Sequence, residues 1–163
     1  MTSASKAVTH EFEYLKLFGV KARNSKNELL IAEVKGLKST HISTFRRITG
    51  LTVDHIAILL DISRRQINYK MRKGIFSAKD ADILLNVAKI IYEFFCLYPD
   101  IQDFWLLFLA GRDEFSGKSA LYLSKTEIGR GRVLAQIIKE RDDYLQDISK
   151  DSKTPKNVKV KKE

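Results

Sequence analysis

Between Ser63 and Lys73 the chain sets out Ser63, Arg64, Arg65, Asn68, Tyr69, Lys70, Arg72 and Lys73. The set contains no paired carboxylates, no nucleophile beside a base and no cluster of metal ligands. It is rich instead in hydrogen-bond donors. An Arg fork bridges guanine O6 and N7, an Asn amide bridges the adenine edge, and the remaining cations suit phosphate oxygens. Arg46 and Arg47, a few residues upstream, offer two more phosphate contacts. The chemistry this pattern can do is recognition of double-stranded DNA.

Side chains of this kind need a stiff element to present them. The segment Leu51–Gly74, LTVDHIAILLDISRRQINYKMRKG, reads as two short helices joined by a tight turn, the second starting at SRRQ. Ala57 supplies the small residue where the helices cross. Four residues later Asp61 occupies the turn, where a left-handed backbone is needed that Asp tolerates better than most residues. Leu60, Ile62, Ile67 and Met71 would anchor the pair, leaving Ser63, Arg64, Arg65, Asn68 and Tyr69 outward. A plain helical hairpin with a solvated basic face has the same pattern. Charge placement favours the DNA reading: from Lys35 to Gly74 nine Lys or Arg face two Asp, a net +7 of the chain's +9. Ser149–Glu163 adds +4, so the rest of the chain is net −2.

The whole chain of 163 residues is long enough to bury a core, and apolar spacing of three and four recurs where no alternating strand pattern does. The expected fold is all-α, with short helices at Glu11–Val20 and Asn27–Lys35 and another from Ser39 to Ile48, stopped by Gly50. Three helix starts follow a Ser-x-x-acid/amide pattern: Ser63 with Gln66, Ser77 with Asp80, and Ser124 with Glu127. The Ser77 start opens a long helix with Ala81, Leu84, Leu85, Ala88, Ile91, Tyr92 and Phe95 on one face, ended by Pro99. A shorter helix, Ile101–Ala110, is apolar nearly all round and closes at Gly111. A final helix runs from Thr126 toward Ile148 with Leu134, Ile137, Ile138, Leu145 and Ile148 on one side. Four segments result: an N-terminal extension over 1–26, partly flexible; a helix-turn-helix unit over 27–76; a helical unit over 77–148; and a disordered Lys-rich tail over 149–163.

Other function classes find little support. No Gly-rich phosphate loop follows a strand, and His10, His41 and His55 are scattered, with His55 placed for an exposed or phosphate-facing role. We therefore expect no enzyme activity, no cofactor and no metal. The single Cys96, within IIYEFFCLY, permits no intrachain disulfide and reads as a buried, inert thiol. No secretory signal pattern opens the chain, and FWLLFLAG is too short to span a bilayer, so a cytoplasmic location without membrane contact is expected.

From about Leu29 to Gln146 the chain resembles the Xre/MbcA/ParS-type antitoxins, which join a helix-turn-helix to a C-terminal toxin-binding domain. The matching features run in order. Gly36 and Leu37 precede the first core helix, and GLTVDHIAILLDISRRQ matches the family's reading unit. Gly74, Ser77 and Asp82 match the start of the long helix. Trp105 and Leu106 match a Trp-Leu on the next helix, and Gly117, Leu121, Leu123, Thr126, Gly129 and Val133 match a loop and helix start. The chain departs from the pattern at Asp61 (usually Gly), Ile83 (often Arg), Ala120 (usually Pro) and the loop GRDEFSGKS. The resemblance implies neutralisation of a cognate toxin by direct binding, commonly a RES-type toxin that consumes NAD. It also implies repression of the protein's own operon, with a homodimer that pairs two reading helices on a palindromic operator. A stand-alone regulator of the same architecture, without a toxin, is the alternative.

Nine of the sixteen aromatic residues fall between Tyr92 and Tyr122. One reading packs them as core. The other places part of this surface in a dimer or toxin contact made by Phe104, Trp105, Phe108 and Phe115, with Gly117, Thr126 and Gly129 from the family motif. The tail likewise has two readings, a basic arm that adds DNA affinity or a segment that folds onto the toxin.

Overall fold

A computed structural model of the chain describes residues 13–151, and helices dominate it. Short 3₁₀ helices at Glu13–Phe18 and Ala22–Asn24 lead into α1 (Ser25–Lys35), β1 (Leu37–Lys38), α2 (Ser39–Thr49), α3 (Val53–Leu60) and α4 (Arg64–Lys73). Then come β2 (Ile75–Phe76), α5 (Ala78–Leu97), α6 (Ile101–Leu109), a 3₁₀ turn at Asp113–Phe115, α7 (Ala120–Leu123) and α8 (Glu127–Asp151). The expectations for 1–12 and for most of the basic tail lie outside the described residues; Ser149–Asp151, assigned to that tail, are the last residues of α8.

Local chemistry accounts for the helix ends. Gly50 closes α2 at φ 74°, its amide donating to the Arg46 carbonyl at 2.7 Å. The boxes at Ser63 and Ser77 form as their spacing predicts, each Ser oxygen accepting the amide three residues on and the later side chain reaching back. The third does not. Ser124 is buried, and its hydroxyl donates to the Ala120 carbonyl at 2.7 Å. The amide of Gly129 donates instead to Thr126 Oγ1 at 3.0 Å, which caps the first turn of α8. A further box, Thr52 with His55, starts α3, and Asp100 caps α6 after Pro99 has stopped α5.

The two strands are a feature the sequence does not reveal, since two residues cannot display an alternation. Leu37 pairs with Phe76 and Lys38 with Ile75, antiparallel, putting Leu37 and Phe76 inside and the other pair outside. The clip clamps together the two ends of the α2–α3–α4 segment. Gly36 allows it: its φ is 86°, and a Cβ there would sit 1.7 Å from the Phe76 carbonyl oxygen.

One hydrophobic core extends from Tyr14 to Ile137, and its buried set continues across 76/77, where the sequence suggests a boundary. Helix α5 is its axis, buried at Ala81, Leu84, Leu85, Ala88, Ile91 and Phe94 and packed by α1, α3 and α8. Two expectations change here. The segment before α1 is part of this core, with Tyr14, Leu15, Leu17 and Phe18 buried and the Phe18 ring stacked on Phe45 at 4.6 Å. Cys96 is exposed, because its position continues the polar stripe of Asp82, Asn86, Lys89 and Glu93 on α5 rather than the apolar one. On α8, Ile137 is buried and Leu134 partly buried against the core, but Ile138, Leu145 and Ile148 are exposed, the last two because the C-terminal part of the helix continues past the core.

Candidate nucleic-acid interface

The α3–α4 pair is held in one arrangement by three local devices. Asp61 adopts the left-handed conformation its position requires, φ 53° and ψ 47°, and the Ile62 amide donates to the Ala57 carbonyl at 3.0 Å. The Thr52–His55 box fixes the start of α3 and the Ser63–Gln66 box the start of α4. Ala57, Leu60 and Ile67 are buried between the helices and the core, with Ile62 and Met71 partly buried against it.

At 100° per residue, Ile67 and Met71 face inward while Arg65, Asn68, Tyr69 and Arg72 form one stripe at i, i+3, i+4 and i+7 on the opposite side. All four are exposed, as are Ser63 and Lys73. Among the described residues Arg65, Asn68 and Arg72 have no ion pair and no side-chain hydrogen bond. Lys73 lies over the Tyr69 ring at 5.6 Å. The stripe borders an open groove of about 650 Å³ that runs to Ile75 and Ser77.

The other expected contacts are otherwise engaged. Lys70 turns toward the protein, where its Nζ pairs with Asp80 Oδ2 at 2.6 Å; that carboxylate also accepts the Ser77 amide in its capping box. Lys70 is thus a tie between α4 and α5, and its position beside the inward face explains the change from the expected role. Arg64 pairs with Asp54 of α3, both groups being exposed. Arg46 is half-buried and donates from Nε to the Leu51 carbonyl at 3.3 Å, bracing the turn after α2, whereas Arg47 is exposed. His55 is half-buried: its Nδ1 accepts the Thr52 amide at 3.2 Å, and its ring lies edge-on to Trp105 at 6.5 Å. Burial lowers its pKa from 6.5, with the nearby Asp54 charge acting in the opposite sense.

The aromatic region resolves differently from its contact reading. Phe104, Phe108 and Phe115 are buried in the chain's own core, Phe104 and Phe108 stacking at 5.2 Å with Phe94 edge-on to both. They are core, because α6 lies with this side against α5. Gly129 is also buried, and a Cβ there would meet the Leu123 carbonyl oxygen at 1.8 Å, so it serves close packing. Thr126 is exposed and caps α8, and Gly117 is exposed at φ 76° in the loop. What α6 does present outward is Leu106, 67 % exposed, and Ile101, beside a half-buried Trp105. With Ile48 and Arg47 of α2 they line an open groove of about 770 Å³. Trp105 packs so closely over Gly50 that a Cβ there would lie 2.2 Å from its ring.

Comparison with family models, with curated proteins and with solved structures finds no match to this chain. No group of three or more His, Cys, Asp or Glu able to hold a metal ion occurs among the described residues, nor any helix long and apolar enough to cross a membrane.

Proposed function

We propose that the α3–α4 pair is a helix-turn-helix that reads double-stranded DNA, and that the chain is an antitoxin that represses its own operon. The DNA reading is carried by one observation: among the described residues Arg65, Asn68 and Arg72 share an exposed stripe with no ion pair or side-chain hydrogen bond, on a helix where Arg64 and Lys70 are paired with Asp54 and Asp80. Arg65 and Asn68 are the base-reading candidates, and Arg72, Lys73 and Arg47 suit phosphates. Titration of the protein against its own upstream DNA, followed by fluorescence anisotropy, tests this. Arg65→Ala with Asn68→Ala should cost about 1–3 kcal/mol for each lost base contact and level the preference for that DNA over an unrelated duplex. Unchanged preference would remove the reading assignment.

Toxin binding is supported by the resemblance and by the apolar surface that α6 leaves open. It is tested by co-expression with the product of the adjacent reading frame, scoring complex formation and rescue of growth. A chain that does neither, yet binds its own promoter, is the stand-alone regulator.

A further inference from the structure

A cavity of about 230 Å³, sharing no lining residue with the α6 groove, opens between the N-terminal 3₁₀ segment, α1, α2 and the strand clip. Its walls include Leu15, Phe18, Ala32, Leu37 and Leu85, all buried apolar side chains. His41 lines it too, and its Nδ1 is buried and has no hydrogen-bond partner among the described residues. A buried polar atom left unpaired costs about 1–3 kcal/mol, so native structures normally give it a partner. At the mouth stand Lys35 and Lys38, both exposed and neither in an ion pair among the described residues, together with Glu28.

We propose that this cavity binds a small monocarboxylate with an apolar body. Size sets the first limit. A dry cavity of about 150 Å³ accommodates the six carbons of benzene, so this one suits roughly nine heavy atoms. Charge sets the second: two lysines against one glutamate leave a single surplus positive charge, which matches one carboxylate and disfavours two. The apolar body would fill the walls while the carboxylate stays at the cationic mouth. Ile75 lines both this cavity and the groove along α4, so a ligand here touches the clip that sets α4 in place. That regulatory consequence rests on the DNA reading, whereas the site itself does not.

Isothermal titration of the full chain with benzoate, benzamide and benzylamine tests the site without DNA, so its failure and that of the DNA reading are distinguishable. Benzoate should bind saturably at one site, at least about tenfold more tightly than benzamide, with benzylamine inert. Ala32→Leu, which fills the cavity, should abolish binding while leaving the circular dichroism unchanged. Should that variant fail to fold, Lys35→Gln with Lys38→Gln, both at exposed positions, should bring benzoate down to the affinity of benzamide. Absence of saturable benzoate binding, equal binding of all three probes, or full binding by a folded Ala32→Leu or by the double Gln variant would overturn the proposal.

Discussion

Helices α4 and α6 are nearly the same length and treat water in opposite ways. Of ten residues, α4 buries only Ile67, and its outward stripe is cationic and amide-bearing. Of nine, α6 buries Phe104 and Phe108; the side turned away from the core carries Leu106, and Ile101 is exposed at the helix start. Folding explains the inner face of each helix and neither outer face. Exposed Arg and Asn add almost nothing to a core, and an exposed Leu forgoes about 25 cal/mol for each Å² it leaves wet. The two surpluses differ in kind, and under the proposed function so do the partners that would relieve them: a polyanion for α4, an apolar protein surface for α6. The turn between α2 and α3 links the two faces, since Gly50 carries Trp105 on its α-carbon and Arg46 donates to Leu51 beside it.

The sharpest division is available on α6 itself. Phe104→Ala removes a ring that is fully buried against Phe94 and Phe108 and should cost about 3–5 kcal/mol, read as a lower urea midpoint. Leu106→Ala, two residues away, should stay within about 0.5 kcal/mol of wild type. Under the antitoxin proposal Leu106→Ala should nonetheless weaken the toxin complex. A large stability loss from Leu106→Ala would mean that this face already has a partner within the chain.

The same division on α4 separates Lys70 from Arg72. Lys70→Ala breaks a largely buried pair with Asp80 and should lower stability by about 1–2 kcal/mol, less than a fully buried pair because Lys70 keeps some solvent contact. Its DNA affinity, measured where the variant is folded, should change little. Arg72→Ala should do the reverse, leaving the melt unchanged and reducing the slope of log affinity against log salt by about one. If Lys70→Ala weakened DNA binding as much as Arg72→Ala, the tie to Asp80 would not be what occupies Lys70.

How much of this is legible in the sequence depends on the range of the interaction. Helix α4, its cap at Ser63, the left-handed turn at Asp61 and the stop at Gly50 follow from residues within four positions of one another. The engagement of Lys70 does not, because Asp80 reaches it only after the clip has brought α5 alongside α4. Nor does that clip, two residues to a strand, whose pairing is decided by Gly36 and Phe76 forty residues apart in sequence. The aromatic segment is legible as apolar but not as oriented. Spacing alone leaves α6 apolar nearly all round, and the packing of α5 decides that Phe104 and Phe108 turn in while Leu106 turns out. The Cys96 assignment follows composition where helical phase, seven residues from Lys89 and fourteen from Asp82, points to solvent.

The smallest effect concerns His55, where the two regions meet. Its Nδ1 accepts the Thr52 amide at the start of α3 while its ring borders Trp105 of α6. Protonation at Nδ1 turns that acceptor into a donor and breaks the capping box. Burial holds the folded pKa below the 6.5 of an unfolded chain, so between those values the unfolded state binds the proton more readily. The stability contributed by neutral His55 is therefore complete above 6.5 and declines as pH falls through that value toward the depressed folded one. A Gln at this position keeps an acceptor in the box with nothing to titrate. Melting temperatures taken between about pH 7.5 and pH 5 should thus fall more steeply for wild type than for His55→Gln, the difference opening only on the acid side. Parallel curves would show that His55 does not couple the α3 cap to the proton.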